Sequence, residues 1–213
     1  MSTNIYLIRH GESEGNLHNM FLGHYDLDLT EKGVSQAKVT AQYLKNIEVD
    51  AIYSSDLKRA YSTALCTAVL INKPIIKNKA LREIFAGEWE GLPFMDIGKT
   101  YKESFDTWLN NFGHAVCDGG ESVEELKKRF VNAVLEIATA NEGKTVFIFT
   151  HATPIRLLAA HCLGKGIDEY KSVPWSANAS VTHVVYSEGR FELIEYSKAD
   201  FMGDLVTRFS SNI

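Results

Sequence analysis

At 213 residues, 45% hydrophobic and 23% charged, the chain has the composition of a globular protein and is long enough to bury a substantial core. Its 22 Lys and Arg against 27 Asp and Glu give a net charge of -5; with no basic run to offset it, this argues against a broad nucleic-acid surface. No apolar stretch approaches the roughly 20 residues of a membrane span. The first apolar run begins within a few residues of Met1, so no signal peptide is expected. Cys66, Cys117 and Cys162 are odd in number, widely spaced and lack a CxxC neighbour, so they read as small core residues in a reducing compartment, and a cytoplasmic location is expected.

In chain order, Ile5–Ile8 is a short β-branched and aromatic run ending on Arg9-His10-Gly11-Glu12, and reads as a buried strand. Thr30 has the character of an N-cap before apolar positions Val34, Ala37, Ala41 and Leu44 at helical spacing. Ala51–Ser54 predicts a strand, and Ser55-Asp56 a cap for a helix whose inner face carries Ala60, Thr63, Ala64, Thr67, Ala68 and Ile71. Pro74–Lys77 predicts a further strand. From Leu92 to Asn111 the pattern is helical and rich in aromatics (Phe94, Phe105, Trp108, then Phe112). It predicts a cap whose rings pack against the body. Ser122-x-x-Glu125 is a capping box opening a helix with Leu126, Phe130, Val134 and Ile137. Thr145–Thr150 is a second buried strand running straight into His151; Pro154 suits a first helical turn and Gly164 its end. Ala179–Ser187 and Phe191–Tyr196 predict two last strands joined at Glu188-Gly189.

Strands alternating with helices predict an α/β fold: a three-layer α/β/α sandwich with a mostly parallel central sheet and a small helical cap region. No linker, repeat or low-complexity segment interrupts it, so residues 1–213 are expected to form a single domain with a cap-like insertion at about 88–120.

If the strands before His10 and His151 lie parallel and adjacent, both imidazoles emerge at the sheet edge where open α/β folds bind ligands. Arg9 beside His10, and Arg59 one turn into the helix after Ala51–Ser54, add ionised forks suited to phosphate. Helix N-termini at the same edge add N–H donors. Phosphoryl transfer needs an in-line nucleophile, charge held on the equatorial oxygens, and a proton for the leaving oxygen. His10 is assigned as nucleophile, with its other ring nitrogen donating to a backbone carbonyl. His151 is assigned as phosphate-binding donor and Glu83, ahead of Phe85-Ala86-Gly87, as the acid. Arg156 is read as bracing a carboxylate or helix end. No HExxH or other ligand spacing occurs among the histidines, so no metal or other cofactor is expected.

Arg9-His10-Gly11-Glu12-Ser13-Glu14-Gly15-Asn16 resembles the signature of the histidine phosphatase superfamily, the phosphoglycerate-mutase-like proteins. Further blocks follow in the family's order. They are Gly23-His24-Tyr25-Asp26 with Leu29–Gly33, Ser54–Ala60 with Thr63-Ala64, Leu81–Ile84 with Gly87–Gly91, Asp118–Ser122, and Thr150-His151. The resemblance implies a phosphohistidine on His10, with Glu83 serving as acid and then as base for water. Arg9, Arg59, Asn16 and His151 would hold the phosphoryl group, and Ser13 and Gly23 would line the site. The family usually has glycine after the second histidine where this chain has Ala152, a steric cost if the backbone there needs a positive φ.

Within the family, mutases resemble this chain less. They carry a lysine and an arginine pair after the catalytic glutamate, whereas Ile84 to Leu126 offers only Lys99 and Lys102 as strong bases, and the segment from Glu83 to His151 is short. Phe85, Trp89, Phe94 and Trp108 suit an apolar leaving group. The expectation is a phosphomonoester hydrolase acting on small phosphorylated metabolites, with a small-molecule phosphate ester as partner and no nucleic acid or membrane. A cofactor-dependent phosphoglycerate mutase is the alternative within the family. A non-catalytic phospho-ligand or interaction protein is the alternative from another class, disfavoured because nucleophile, acid and clamp are all retained. An exposed strand or the aromatic cap could pair subunits as a homodimer.

Overall fold

Alternation along β1 (Thr3–Arg9) sends Ile5 and Leu7 to one face of the sheet and Ile8 to the other, all with no exposure, in the computed structural model, which describes residues 1–207. Beside β1 runs β6 (Thr145–Thr150), parallel and in a register that pairs Ile5 with Val146 and Arg9 with Thr150. On the far side of β6 lie β3 (Ala51–Ser54) and the edge strand β4 (Ile75–Lys77), both parallel. Antiparallel β7 (Val181–Ser187) and β8 (Arg190–Lys198) complete the sheet in the order β4-β3-β6-β1-β7-β8. The turn between the last two is made by Glu188 and Gly189, both at positive φ (51° and 80°) as a tight hairpin requires.

Helices cover both faces. α2 (Glu31–Leu44) and α3 (Lys58–Ile71) bury Leu44, Ala64 and Ala68 against Ile8, Ile52, Phe147 and Phe149. On the opposite face, α6 (Val123–Ala140) and α7 (Ala152–Cys162) bury Leu126, Phe130, Val134, Ile155 and Leu158 against Ile5, Leu7, Val146 and Ile148. Each such side chain contributes about 1.5–3 kcal/mol through burial. The result is an α/β/α sandwich with a sheet whose four adjacent strands are parallel.

The caps at Thr30 and Ser122 form as expected: Thr30 accepts from Gly33 N, and Ser122 and Glu125 make a reciprocal capping box. The expected Ser55-Asp56 cap does not. Leu57 is the N-cap of α3, and Lys58 N instead donates to Asp26 Oδ1 at 2.7 Å. Asp56 is drawn away by a bidentate pair with Arg82 (2.6 and 2.7 Å), a stronger attraction than a single neutral N–H.

The cap is built from α4 (Phe94–Thr100) and α5 (Lys102–Asn110), tied to the N-terminal region by a two-stranded sheet of β2 (Met20–Phe21) and β5 (Leu92–Pro93). Its rings do pack on the body: Trp108 lies edge-on to Phe21, and Phe112 lies edge-on to Trp175 and beneath the Arg156 guanidinium. Some of the same rings also form a wall of the cavity described below. No helix among the described residues is long and apolar enough to cross a membrane.

Candidate active site

His10 and His151 are brought together by strand register. Arg9 and Thr150 are partners across β1 and β6, and His10 N donates to Thr150 O at 3.0 Å, so the next residue of each strand steps off the same sheet edge. The two rings lie 5.3 Å apart at 61°. Ser55 leaves the end of β3 beside them, its N donating to Phe149 O, and its hydroxyl is 2.9 Å from His151 Nε2.

The chain leaves β1 through Gly11 because nothing larger fits: a Cβ there would stand 2.5 Å from the carbonyl oxygen of Gly33. Gly11 O lies 2.7 Å from His10 Nδ1, which therefore carries the proton and leaves Nε2 with its lone pair. Burial first, then Arg59 and Arg9, hold the His10 imidazolium well below the usual histidine range. Burial, then Arg59, does the same for His151. Both rings are neutral at pH 7.

Arg9 and Arg59 are almost fully buried. Burial pushes each down to about 10 against the opposing pull of Glu83, so both stay charged at neutral pH. Arg59 is aimed by two carbonyls, donating through Nη1 to Tyr25 O (3.0 Å) and Nη2 to Gly23 O (2.7 Å). Arg9 donates to Ser176 O. The Glu83 carboxyl oxygens accept from Ile84 N (2.8 Å) and, across the chain, from Thr153 N (3.2 Å) in the first turn of α7.

These groups open onto a cavity of about 410 Å³ whose wall includes Arg9, His10, Asn16, Gly23, Arg59 and Glu83. Asn16 belongs to the short helix α1 (Glu14–Leu17), where its Oδ1 accepts from Ser13 N at 3.1 Å. It also accepts from Ser13 Oγ and Asn178 Nδ2, which turns the Asn16 NH2 group to the cavity as the remaining donor. Ser13 itself is fully buried and braces Asn16 without reaching the wall; His151 likewise lies behind it, with Nδ1 buried and unpartnered among the described residues. Ala152 lines the cavity as the first residue of α7, and its φ is not positive, so the steric cost expected of alanine here does not arise.

The other wall is apolar: Met20, Phe21, Leu22, Phe94, Trp108 and Trp175. Phe94 and Trp108 were expected there, whereas Trp89 is fully buried with its Nε1 on Asp118, and Phe85 is exposed against His24. Arg156 stays outside. It donates to Val173 O and Lys171 O and lies over the Trp175 ring, 4.1 Å from its centroid, so it braces the turn carrying that wall residue.

Sequence patterning missed Ser55, Trp175 and Asn178. Asn178 is fully buried, its NH2 donating to His10 O (3.2 Å) and to Asn16 Oδ1 (3.1 Å). Its one signal is its place just ahead of β7, which runs antiparallel to β1 and so begins where β1 ends. No three His, Cys, Asp or Glu side chains gather as a metal site among the described residues.

A buried neutral imidazole beside two arginines, at the open edge of an α/β sheet with a glutamate on the same cavity wall, is an arrangement suited to phosphoryl transfer. The chain belongs to the histidine phosphatase superfamily (branch 1), whose model matches residues 5–198. It is 34% identical to phosphoserine phosphatase 1 of Hydrogenobacter thermophilus over 89% of each chain. It is 27% identical to the adenosylcobalamin/alpha-ribazole phosphatase of Escherichia coli, over 75% of this chain and 79% of that one. Among solved structures, Bacillus stearothermophilus YhfR superposes with a TM-score of 0.90 at 31% identity, covering 94% of this chain and 99% of the other. The protein is a phosphatase.

Proposed function

We propose that the protein hydrolyses phosphomonoesters of small metabolites through a phosphohistidine on His10, with arginine charge in place of a metal. The single observation that carries this reading is the His10 Nδ1–Gly11 O hydrogen bond at 2.7 Å, which commits one nitrogen and frees the other for attack. Nε2 forms a bond to phosphorus as the ester P–O bond breaks, and Glu83 gives a proton to the leaving oxygen. Arg9, Arg59 and the Asn16 NH2 group, which line the cavity, hold the equatorial oxygens, and His151 backs the His10 ring from behind that wall. Glu83, now a carboxylate, takes a proton from water as the water oxygen bonds phosphorus and the P–Nε2 bond breaks.

The apolar wall supports a leaving group with apolar surface. Among the described residues, Arg9 and Arg59 are the cations that line the cavity, and both belong to the phosphoryl cradle. A mutase would need a further cation to retain an acidic intermediate. The relatives named as phosphoserine and ribazole phosphatases support the class of small phosphorylated metabolites. Three free cysteines suit a cytoplasmic setting.

The test is mixing with a chromogenic aryl phosphate, then rapid acid-free quenching and detection of protein-bound phosphate. Wild type should turn over and carry acid-labile label; His10→Ala should do neither. Undiminished labelling of that variant would remove the assignment, and a higher kcat/KM for phosphoserine than for an uncharged alkyl or aryl phosphate would remove the apolar leaving group.

A further inference from the structure

Glu83 lies in an irregular segment, between a single 3-10 turn at Lys79–Leu81 and the exposed Phe85, with no regular strand or helix to fix it. A proton donor has to sit within a few tenths of an ångström of its target, so something else must hold this stretch. Arg129, from the second turn of α6, lies beneath it. Its Nη1 donates to Ala80 O (2.8 Å) and Arg82 O (3.2 Å), and its Nη2 to the carbonyl of Glu83 itself (3.0 Å). The same guanidinium grips Glu121 through Nε (2.9 Å) and Nη2 (2.8 Å). Glu121 in turn holds the downstream side: its Oε2 accepts from Phe85 N (3.1 Å), and its own N donates to Phe85 O (2.7 Å). The ion pair thus binds the chain on both sides of Glu83, and both partners are largely buried, with side-chain exposures of 25% and 15%. Arg129 does not line the cavity.

We infer that Arg129, held by Glu121, is a positioning residue that fixes the main chain of Glu83 and thereby the proton transfer to the leaving group. Three carbonyls satisfied by one planar fork cannot be reproduced by lysine, which offers a single point charge. A looser Glu83 leaves the phosphoryl cradle intact, because Arg9, Arg59 and Asn16 are held by other elements. The loss should therefore fall on esters that need a proton, and spare those that do not.

The inference rests on Glu83 being the acid, so Glu83→Gln is measured alongside. Wild type, Glu83→Gln, Arg129→Lys, Arg129→Met and Glu121→Gln are assayed by kcat/KM on p-nitrophenyl phosphate and on glycerol phosphate, with folding checked by circular dichroism and thermal melting. Glu83→Gln should lose far more on the alkyl ester. The Arg129 variants should show the same skew, about 10-fold greater loss on the alkyl than on the aryl ester, with Glu121→Gln in the same direction. The affinity for inorganic phosphate, read by competitive inhibition, should stay within about 2-fold of wild type. Equal losses on the two esters in folded Arg129→Lys and Glu121→Gln, while Glu83→Gln keeps its skew, would overturn the role of Arg129. No skew in Glu83→Gln would instead overturn the acid assignment on which it stands. Should Arg129→Met fail to fold, the lysine and Glu121 variants decide the matter.

Discussion

The hydroxyl of Ser55 stands 2.9 Å from Nε2 of His151, and this pair fixes the orientation of the ring that lies against His10. Ser55 belongs to the end of β3, two strands from β1, yet reaches the site because β6 lies between them and carries His151. With Nε2 engaged by the hydroxyl, Nδ1 is the buried ring atom without a partner. Ser55→Ala should release the ring to rotate and lower kcat/KM by about 10-fold, the lower end of the loss seen when the orienting partner of a metal-bound histidine is removed. Steady-state kinetics with an aryl phosphate, beside an unchanged circular dichroism spectrum, is the check.

His10 and His151 are both neutral in the folded protein, held down first by burial and then by Arg59. In the unfolded chain they return to about 6.5. As pH falls below that value the unfolded chain takes up protons that the folded site refuses, so stability falls with decreasing pH, until the lowered folded pKa values are passed. The slope is up to about 1.4 kcal/mol per pH unit for each ring. Replacing both by Asn should flatten the denaturation midpoint between pH 7.5 and 5.5 relative to wild type. A steeper fall in the double variant would contradict it.

Gly23 sits at φ 51°, and a Cβ there would meet Ala86 Cβ at 2.6 Å and Ala86 N at 2.9 Å, while its carbonyl holds Arg59. Gly23→Ala should cost about 1–3 kcal/mol in chemical denaturation and weaken phosphate as a competitive inhibitor. Gly164, at φ 65° but with nothing within 4 Å of its Cβ position, supplies the control. Gly164→Ala should cost less stability and leave inhibition by phosphate unchanged.

Phe94 is half-buried in the cap and lines the cavity across from the cradle. Phe94→Ala should raise KM for aryl phosphates several-fold, equivalent to about 1 kcal/mol of lost apolar contact, with kcat little altered. A fall in kcat at unchanged KM would place this ring in the chemical step and not in binding.

Burial of Arg59 also makes a prediction. Its two carbonyl anchors demand a planar fork, so Arg59→Lys keeps the charge but loses the geometry. Inhibition by inorganic phosphate should weaken by about 10-fold or more, with phosphorylation of His10 slowed in a rapid-quench measurement.

Local signals were sufficient wherever the physics is local. The β-branched and aromatic runs at Ile5–Ile8 and Thr145–Thr150 form strands because alternation buries them on both faces of one sheet, and the Ser122 and Thr30 caps form because their hydroxyls meet N–H groups three residues on. The juxtaposition of Arg9, His10, Arg59, Glu83 and His151 was legible for a related reason. Arg9, His10 and His151 lie at or just beyond the end of a predicted strand, Arg59 and Glu83 follow within about a turn or two of chain, and parallel strands expose those ends together.

The rest depends on contacts the chain makes with itself at long range. Asn178 reaches His10 across 168 residues, and Ser55 reaches His151 across 96. Ser55-Asp56 reads as a helix cap until tertiary structure supplies Arg82 and His151 as better partners. Trp89 is buried in the core where a leaving-group contact was expected, and Trp175, unassigned from the sequence, lines the cavity, because an aromatic ring obeys the same burial preference whether it faces core or cavity. The chain's own pattern therefore determined the layers, the sheet edge and the charged groups on it. Folding alone decided which carbonyls and hydroxyls aim those groups, since hydrogen bonds that fix a side chain to a fraction of an ångström depend on where distant backbone atoms come to rest.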